Sequence, residues 1–221
     1  MGKSKKDIQK THQKKALKKR RRENTKRKLL AISHLAGSPE SLFRKAAALP
    51  LLECLISEGW RDPINIAIVL LARKEPSGLI SFCSYMVDSG CLGLKDTFGN
   101  VHISSIKYED MKEQYAEQTT FEKCDPILAC QLVYGAIDYA AQWGFKPNED
   151  WSYSRWFLEP RENVSPTDAL EFGKDGMPLF ISGPHDNVAR ILTQLDKTAG
   201  PGNYHFVVGG PAEEDDDEPD W

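Results

Sequence analysis

The charges of this chain are segregated along its length, which restricts where a hydrophobic core can form. Residues 1–28 contain fourteen Lys or Arg residues and only two acidic residues, a net charge of +12. Residues 213–220 contain seven acidic residues and no basic residue. Because closely spaced like charges repel one another and resist burial, both ends are predicted to be disordered in the free protein. We therefore divide the chain into a basic arm (1–36), a globular domain (37–210) and an acidic tail (211–221).

The basic arm predicts a polyanionic partner. Lys and Arg neutralise phosphates and release counterions without sequence preference, so the arm is suited to RNA or DNA and does not distinguish them. Residues 29–212 carry 15 basic and 23 acidic residues, a net charge of −8, so only the arm is suited to phosphate. The sequence leaves open whether the domain binds a protein. The residues that we expect to contact phosphate are Lys14, Lys15, Lys18, Lys19, Arg20, Arg21, Arg22, Lys26, Arg27 and Lys28.

Cysteine usage and hydropathy indicate the compartment. The five cysteines form no C-x-x-C pair and have no matching histidine spacing, which argues against a disulfide framework and against a zinc ribbon. The chain has no signal-peptide-like start and no run of roughly 18 apolar residues. We expect a protein of the cytoplasm, or of the nucleus if its host has one, with no membrane partner, no metal and no cofactor.

Apolar patterning predicts β-strands in the first half of the domain. Residues 51–57, 64–74 and 79–87 are rich in β-branched and aromatic residues, and a turn at 75–78 makes the last two a hairpin. The nearly continuous apolar run at 64–71 is typical of a strand that is covered on both faces.

Helices are predicted from capping residues and three- and four-residue spacing. The central helix spans 126–143, with Asp125 as N-cap and Gly135 allowing close approach to the sheet. Further predicted elements are helices at 39–49, 105–118 and from N-cap Asp186 onward, a structured loop at 145–160, a hairpin of 170–172 with 178–182, and a strand at 204–208. This order predicts an α+β fold: a mixed sheet of about five to six strands packed by two to three helices.

The segment 87–96 offers the most reactive groups in the domain. Asp88, Cys91, Lys95 and Asp96 combine two carboxylates, a thiol and an ammonium beside two glycines, the ingredients of a catalytic or metal site. The alternative is a bulged strand end in which Asp88 satisfies backbone donors and Cys91 is buried. We favour the bulge, because no histidine lies nearby to activate Cys91 and no spacing selects a metal.

A nuclease-like cluster of carboxylates is a related alternative. Glu53, Asp88, Asp96 and Asp138 lie near predicted strands or on the central helix, where they could hold two Mg²⁺ ions. A ribonuclease-H-like layout, however, needs an acid within the first strand, and the run 64–71 contains none. This disfavours the nuclease.

Two other segments are candidates for binding. Residues 183–186, which include His185, precede a helix whose N-terminus could hold a phosphate, but Asp186 would place its own charge there. In the loop 145–160, the aromatic rings of Trp151, Tyr153 and Trp156 could stack on bases, although such rings more often anchor a loop to the core.

Three short strings carry a family resemblance: VDxxCLGxKD at 87–96, GFxP at 144–147, and GxP at 176–178 followed by GPxD at 183–186. Through them the chain resembles, from residue 53 to about 208, a family of bacterial proteins of unknown function. The resemblance implies a bacterial cytosolic protein and supplies no activity. Histidine often follows the GFxP string in that family, and Asn148 stands there in this chain, which weakens a histidine ligand at this position.

The sequence therefore favours a non-enzymatic RNA-binding protein, associated with ribosomes by analogy with the basic extensions of ribosomal proteins. One alternative is a hydrolase or nuclease with its site around Asp88 to Asp96. Another is a DNA-associated accessory protein. A pocket that joins the segment 87–96 to His185 or Asp150 would favour the enzyme.

Overall fold

The computed structural model describes residues 38–167 and 169–208. The ten predicted phosphate contacts and the acidic tail lie outside these residues. The described elements are α1 (Pro39–Ala47), β1 (Leu51–Ser57), β2 (Ile66–Lys74), β3 (Ile80–Asp88), β4 (Gly93–Ile103), α2 (Ser105–Ala116), β5 (Phe121–Lys123), α3 (Pro126–Gln142), α4 (Trp151–Ser154), β6 (Leu179–Ile181), α5 (Val188–Thr198) and β7 (His205–Val207). Two short 3-10 helices, Arg155–Phe157 and Arg161–Asn163, follow α4.

Five strands form an antiparallel sheet in the order β4-β3-β2-β1-β5. The three strands predicted first are confirmed as β1, β2 and β3, and the α+β class is confirmed. The strand β4 was not predicted, because Gly93 and Gly99 interrupt its apolar pattern. The predicted single mixed sheet is wrong in detail, because the parallel pairing belongs to a separate two-stranded sheet of β6 and β7.

The five-stranded sheet has a hydrophobic core on each face. Val69 and Leu71 of β2 pack into the larger core, which α3 covers, whereas Leu70 enters a smaller core beneath α2. In the smaller core the rings of Phe82 and Tyr108 lie 5.7 Å apart. Since successive side chains of a strand point to opposite faces, the continuous apolar run in β2 serves both cores. Within the part of the chain that the structure describes, no helix has the length and apolar character needed to cross a membrane.

The central helix α3 begins at the predicted residue, but its close contact with the sheet depends on a different glycine from the one predicted. The Asp125 carboxylate accepts the backbone N–H groups of Ile127 at 2.8 Å and Leu128 at 3.2 Å, which confirms the N-cap. Gly135 does not face the sheet: a Cβ atom at this position would lie 2.4 Å from the ring of Phe172. Instead, Gly93 of β4 provides the close approach, because a Cβ atom there would lie 2.8 Å from the carbonyl oxygen of Ala136.

The last part of the domain is a β-α-β unit. The strand β6 pairs in parallel with β7, and α5 connects the two. The predicted hairpin of 170–172 with 178–182 is wrong, and a single bridge between Lys174 and Met177 remains at its turn. The N-cap of α5 is Asn187, whose side-chain oxygen accepts the N–H of Arg190, and Asp186 has a different partner.

Candidate functional site

Asp88 ends β3 and holds the turn that leads to β4. One of its carboxylate oxygens accepts the backbone N–H groups of Gly90 and Cys91, both at 2.9 Å. The side chain is buried, and this burial raises the pKa of Asp88 above its ordinary value. A Cβ atom at Gly90 would lie 2.7 Å from the carbonyl oxygen of Leu179, so the turn packs tightly against β6. These contacts are those expected of a strand-end turn.

Cys91 belongs to a small core beneath α5. It is fully buried and packs with Phe180 of β6 and Leu195 of α5. Burial and the nearby carboxyl of Asp88 raise the pKa of the Cys91 thiol far above its ordinary range. A buried thiol of raised pKa has little thiolate at neutral pH, so the surroundings of Cys91 do not activate it as a nucleophile.

Lys95 and Asp186 form an ion pair that sequence reasoning missed. The Lys95 Nζ atom lies 2.6 Å from an Asp186 carboxylate oxygen, and the two side chains are only 16% and 13% exposed. The same oxygen accepts the N–H of Gly183 at 2.8 Å. The pair joins β4 to the loop between β6 and α5. Because the partners lie 91 residues apart, no local pattern indicates it.

Asp96 and Asn148 lie together beside the edge of β4. The Asn148 side-chain amide donates to Asp96 at 3.2 Å, and its backbone N–H donates to the carbonyl oxygen of Leu94 at 3.1 Å. Its side-chain oxygen accepts the N–H of Asp150 at 2.9 Å. Asn148 therefore attaches the loop after α3 to the sheet.

The four carboxylates of the nuclease alternative have separate partners. Glu53 accepts hydrogen bonds from the Tyr108 hydroxyl at 2.7 Å and from Lys112 at 2.9 Å. Asp138 pairs with Arg161. In residues 38–167 and 169–208, no three His, Cys, Asp or Glu side chains are grouped so that they could hold a metal ion.

The three aromatic candidates for base stacking pack against the main core. The ring of Trp151 lies 5.9 Å from Tyr134 in an edge contact, and that of Tyr153 lies 4.9 Å from Phe43. Around Trp156, the guanidinium groups of Arg44 and Arg155 lie 3.4 Å and 4.6 Å from the ring centre. These contacts are typical of rings that anchor a loop, and base stacking stays a prediction.

A cavity of about 310 Å³ lies between α3 and the segment after α4. The ion pair of Asp138 with Arg161 and the rings of Tyr134 and Phe172 line it. A second cavity, of about 30 Å³, includes Asp96 on the α2 side of the sheet. Neither is lined by Asp88, Cys91, Lys95 or His185. The larger cavity could not be found from the sequence, because its walls come from segments about 30 residues apart.

No family model, no curated protein and no solved structure matches this chain. The resemblance to a bacterial family of unknown function stays a prediction.

Proposed function

We propose that this protein is a non-enzymatic, cytoplasmic RNA-binding protein in which the basic arm supplies the affinity. The observation that carries the proposal is the contrast of charge within one chain. Residues 1–28 have a net charge of +12, whereas residues 29–212 have a net charge of −8. A polyanion is attracted by the first segment and repelled by the second, so the arm is the part of the chain that suits phosphate.

The contacts within the domain support a role without catalysis. Asp88 accepts two backbone N–H groups, and Lys95 is paired with Asp186. Cys91 lies in a small core, and the pKa of its thiol is raised. Each of these groups has a partner or position that accounts for its presence, which leaves the enzyme alternative without a supporting observation.

One exposed group of the domain is suited to orient an RNA that the arm has bound. Arg155 is exposed and contacts the ring of Trp156, and among the described residues no carboxylate lies within ion-pair distance of it. Arg44, on the same ring, is paired with Glu40 at 2.9 Å. Arg44 belongs to α1, the first described element after the arm, and Arg155 contacts the same Trp156 ring. We expect this contribution to be small beside that of the arm.

Co-purification tests the nature of the partner. The full chain is isolated at low salt, and the bound nucleic acid is digested with ribonuclease or deoxyribonuclease before sequencing. Ribosomal RNA that disappears with ribonuclease would support ribosome association. Enrichment of DNA instead would favour the accessory-protein alternative. The control is a full-length variant in which the ten arm residues named above are Gln, which should recover neither.

A further inference from the structure

Cys54 of β1 and Cys124, the residue directly after β5, lie opposite each other at one edge of the sheet. The register of β1 with β5 pairs Leu55 with Lys123, so Cys54 faces Cys124 one step further along. The N–H of Cys124 donates to the carbonyl oxygen of Cys54 at 3.0 Å. Directly opposed residues in antiparallel strands have Cα atoms about 4.5 to 5.5 Å apart, which falls within the range of about 4.4 to 6.8 Å that a disulfide spans.

The two side chains also point the same way. Both pack at the larger core, where Cys54 is buried and Cys124 is partly exposed. The Cys124 thiol donates a hydrogen bond to the carbonyl oxygen of Asp125 at 3.3 Å. Side chains at directly opposed positions of antiparallel strands lie next to each other on one face of the sheet, so a bond between the two sulfur atoms requires no rearrangement of the strands.

The surroundings make Cys124 the more reactive of the two. The neighbouring Cys54 thiol lowers the pKa of Cys124, whereas the Cys124 thiol and burial raise the pKa of Cys54. Burial raises the pKa of Cys130, the neighbouring thiol on α3, to about 11. Since the thiolate is the reactive form, a partly exposed thiol of lowered pKa beside a second thiol has the arrangement of a redox-sensitive pair.

We propose that Cys54 and Cys124 form a redox modification site, which peroxides convert to a reversible disulfide. The Cys124 thiolate attacks one oxygen of hydrogen peroxide, the O–O bond breaks, and the released hydroxide takes a proton to leave as water. The Cys54 sulfur then attacks the Cys124 sulfenic acid, the S–S bond forms, the S–O bond breaks, and a second water leaves. The sum is two thiols and one peroxide giving one disulfide and two waters.

A disulfide between Cys54 and Cys124 would hold the edge strand β5 against β1. The strand β5 has three residues and pairs with β1 alone, and Asp125, the N-cap of α3, follows Cys124 directly. Oxidation therefore ties the short edge strand and the start of the central helix to β1. The site is independent of RNA binding, so its test and that of the proposed function can fail separately.

Thiol counting and peptide mapping of the full chain test the proposal. The reduced protein is treated with a small excess of hydrogen peroxide, denatured, and labelled with a maleimide. We expect the labelled thiols to fall from the five of the reduced chain to three, with one cross-linked peptide pair joining Cys54 to Cys124. Dithiothreitol should restore all five. The control Cys130→Ser should lose two thiols as the wild type does, whereas Cys124→Ser should lose none.

Three results would overturn the proposal. They are five labelled thiols after peroxide treatment, a cross-link that involves Cys130, or a Cys124 oxidised to sulfinic acid while Cys54 stays free. Each is read from the wild-type protein, so the conclusion does not depend on whether a variant folds.

Discussion

Gly135 sets the distance between α3 and the segment that carries Phe172. We expect Gly135→Leu to lower the free energy of unfolding by about 1 to 3 kcal/mol, because the new side chain must displace the Phe172 ring. The matched control is Ala141→Leu, an exposed position on the same helix, where the change should stay within about 0.5 kcal/mol. Urea unfolding measures both. A Gly135→Leu protein as stable as the Ala141→Leu protein would contradict the close contact.

Asp88 is expected to make the stability of the domain depend on pH. Burial raises its pKa above the ordinary value of 3.8, so the folded chain keeps the proton to a higher pH than the unfolded chain does. As the pH rises from the pKa of Asp88 in the unfolded chain towards its higher pKa in the folded chain, ionisation stabilises the unfolded state more. The free energy of unfolding therefore falls. Asp88→Asn removes this loss, and its side-chain oxygen can still accept the N–H groups of Gly90 and Cys91.

The test is urea unfolding of wild type and Asp88→Asn at about pH 4 and about pH 7. The difference in unfolding free energy should shift in favour of Asp88→Asn as the pH rises. A difference that is the same at both pH values would show that the buried carboxyl does not titrate differently in the two states.

At the scale of elements, the Lys95–Asp186 pair couples the five-stranded sheet to the β-α-β unit. Because both groups are mostly buried, we expect a double-mutant cycle of Lys95→Met and Asp186→Asn to give a coupling energy of about 0.5 to 3 kcal/mol. The exposed pair of Glu40 and Arg44 within α1 is the control and should give about 0.3 to 0.5 kcal/mol. Equal coupling in the two pairs would mean that the partial burial adds nothing.

Local sequence patterns predict some elements of this fold and not others, for physical reasons. The strands β1 to β3 were predicted because their apolar runs reflect burial on both faces. The strand β4 was missed because it uses glycine where α3 and the ring of Phe43 approach closely. Between the two strands of the predicted hairpin, Asp175 and Gly176 do have the positive φ angles of a tight turn. Its flanking strand β6 nevertheless pairs with β7, which no local signal reveals.

In the candidate site, contacts within one turn could be predicted from the sequence, whereas contacts between distant elements could not. The turn contacts of Asp88 and the burial of Cys91 follow from local composition, and the interpretation as a strand-end turn anticipated them. The partners of Lys95 and Asp138 lie on distant elements, and the pairing of Cys54 with Cys124 depends on the register of β5. Such contacts are set by the tertiary fold and leave no pattern in the sequence.

At the scale of the whole molecule, the seven acidic residues near the C-terminus should compete with RNA for the arm. Because the tail and the arm belong to the same chain, the tail is present at a high effective concentration near the arm. We therefore expect it to compete with RNA for the arm. We expect deletion of residues 213–221 to tighten RNA binding at low salt, with the gain shrinking as salt screens both partners. Fluorescence anisotropy with a labelled single-stranded RNA measures this. Equal affinities at every salt concentration would show that the tail does not compete.

The central claim is that the arm supplies the RNA affinity. Its most direct test is the dissociation constant of the full chain and of the ten-residue Gln variant between about 50 and 200 mM salt. If the arm neutralises about six phosphates, the wild type should lose on the order of 10³ in affinity over this range, and the Gln variant should bind weakly with a much smaller salt dependence. The control exchanges Lys and Arg at the same ten positions and should bind as the wild type does. A Gln variant that binds RNA as tightly as the wild type, with the same salt dependence, would contradict the account.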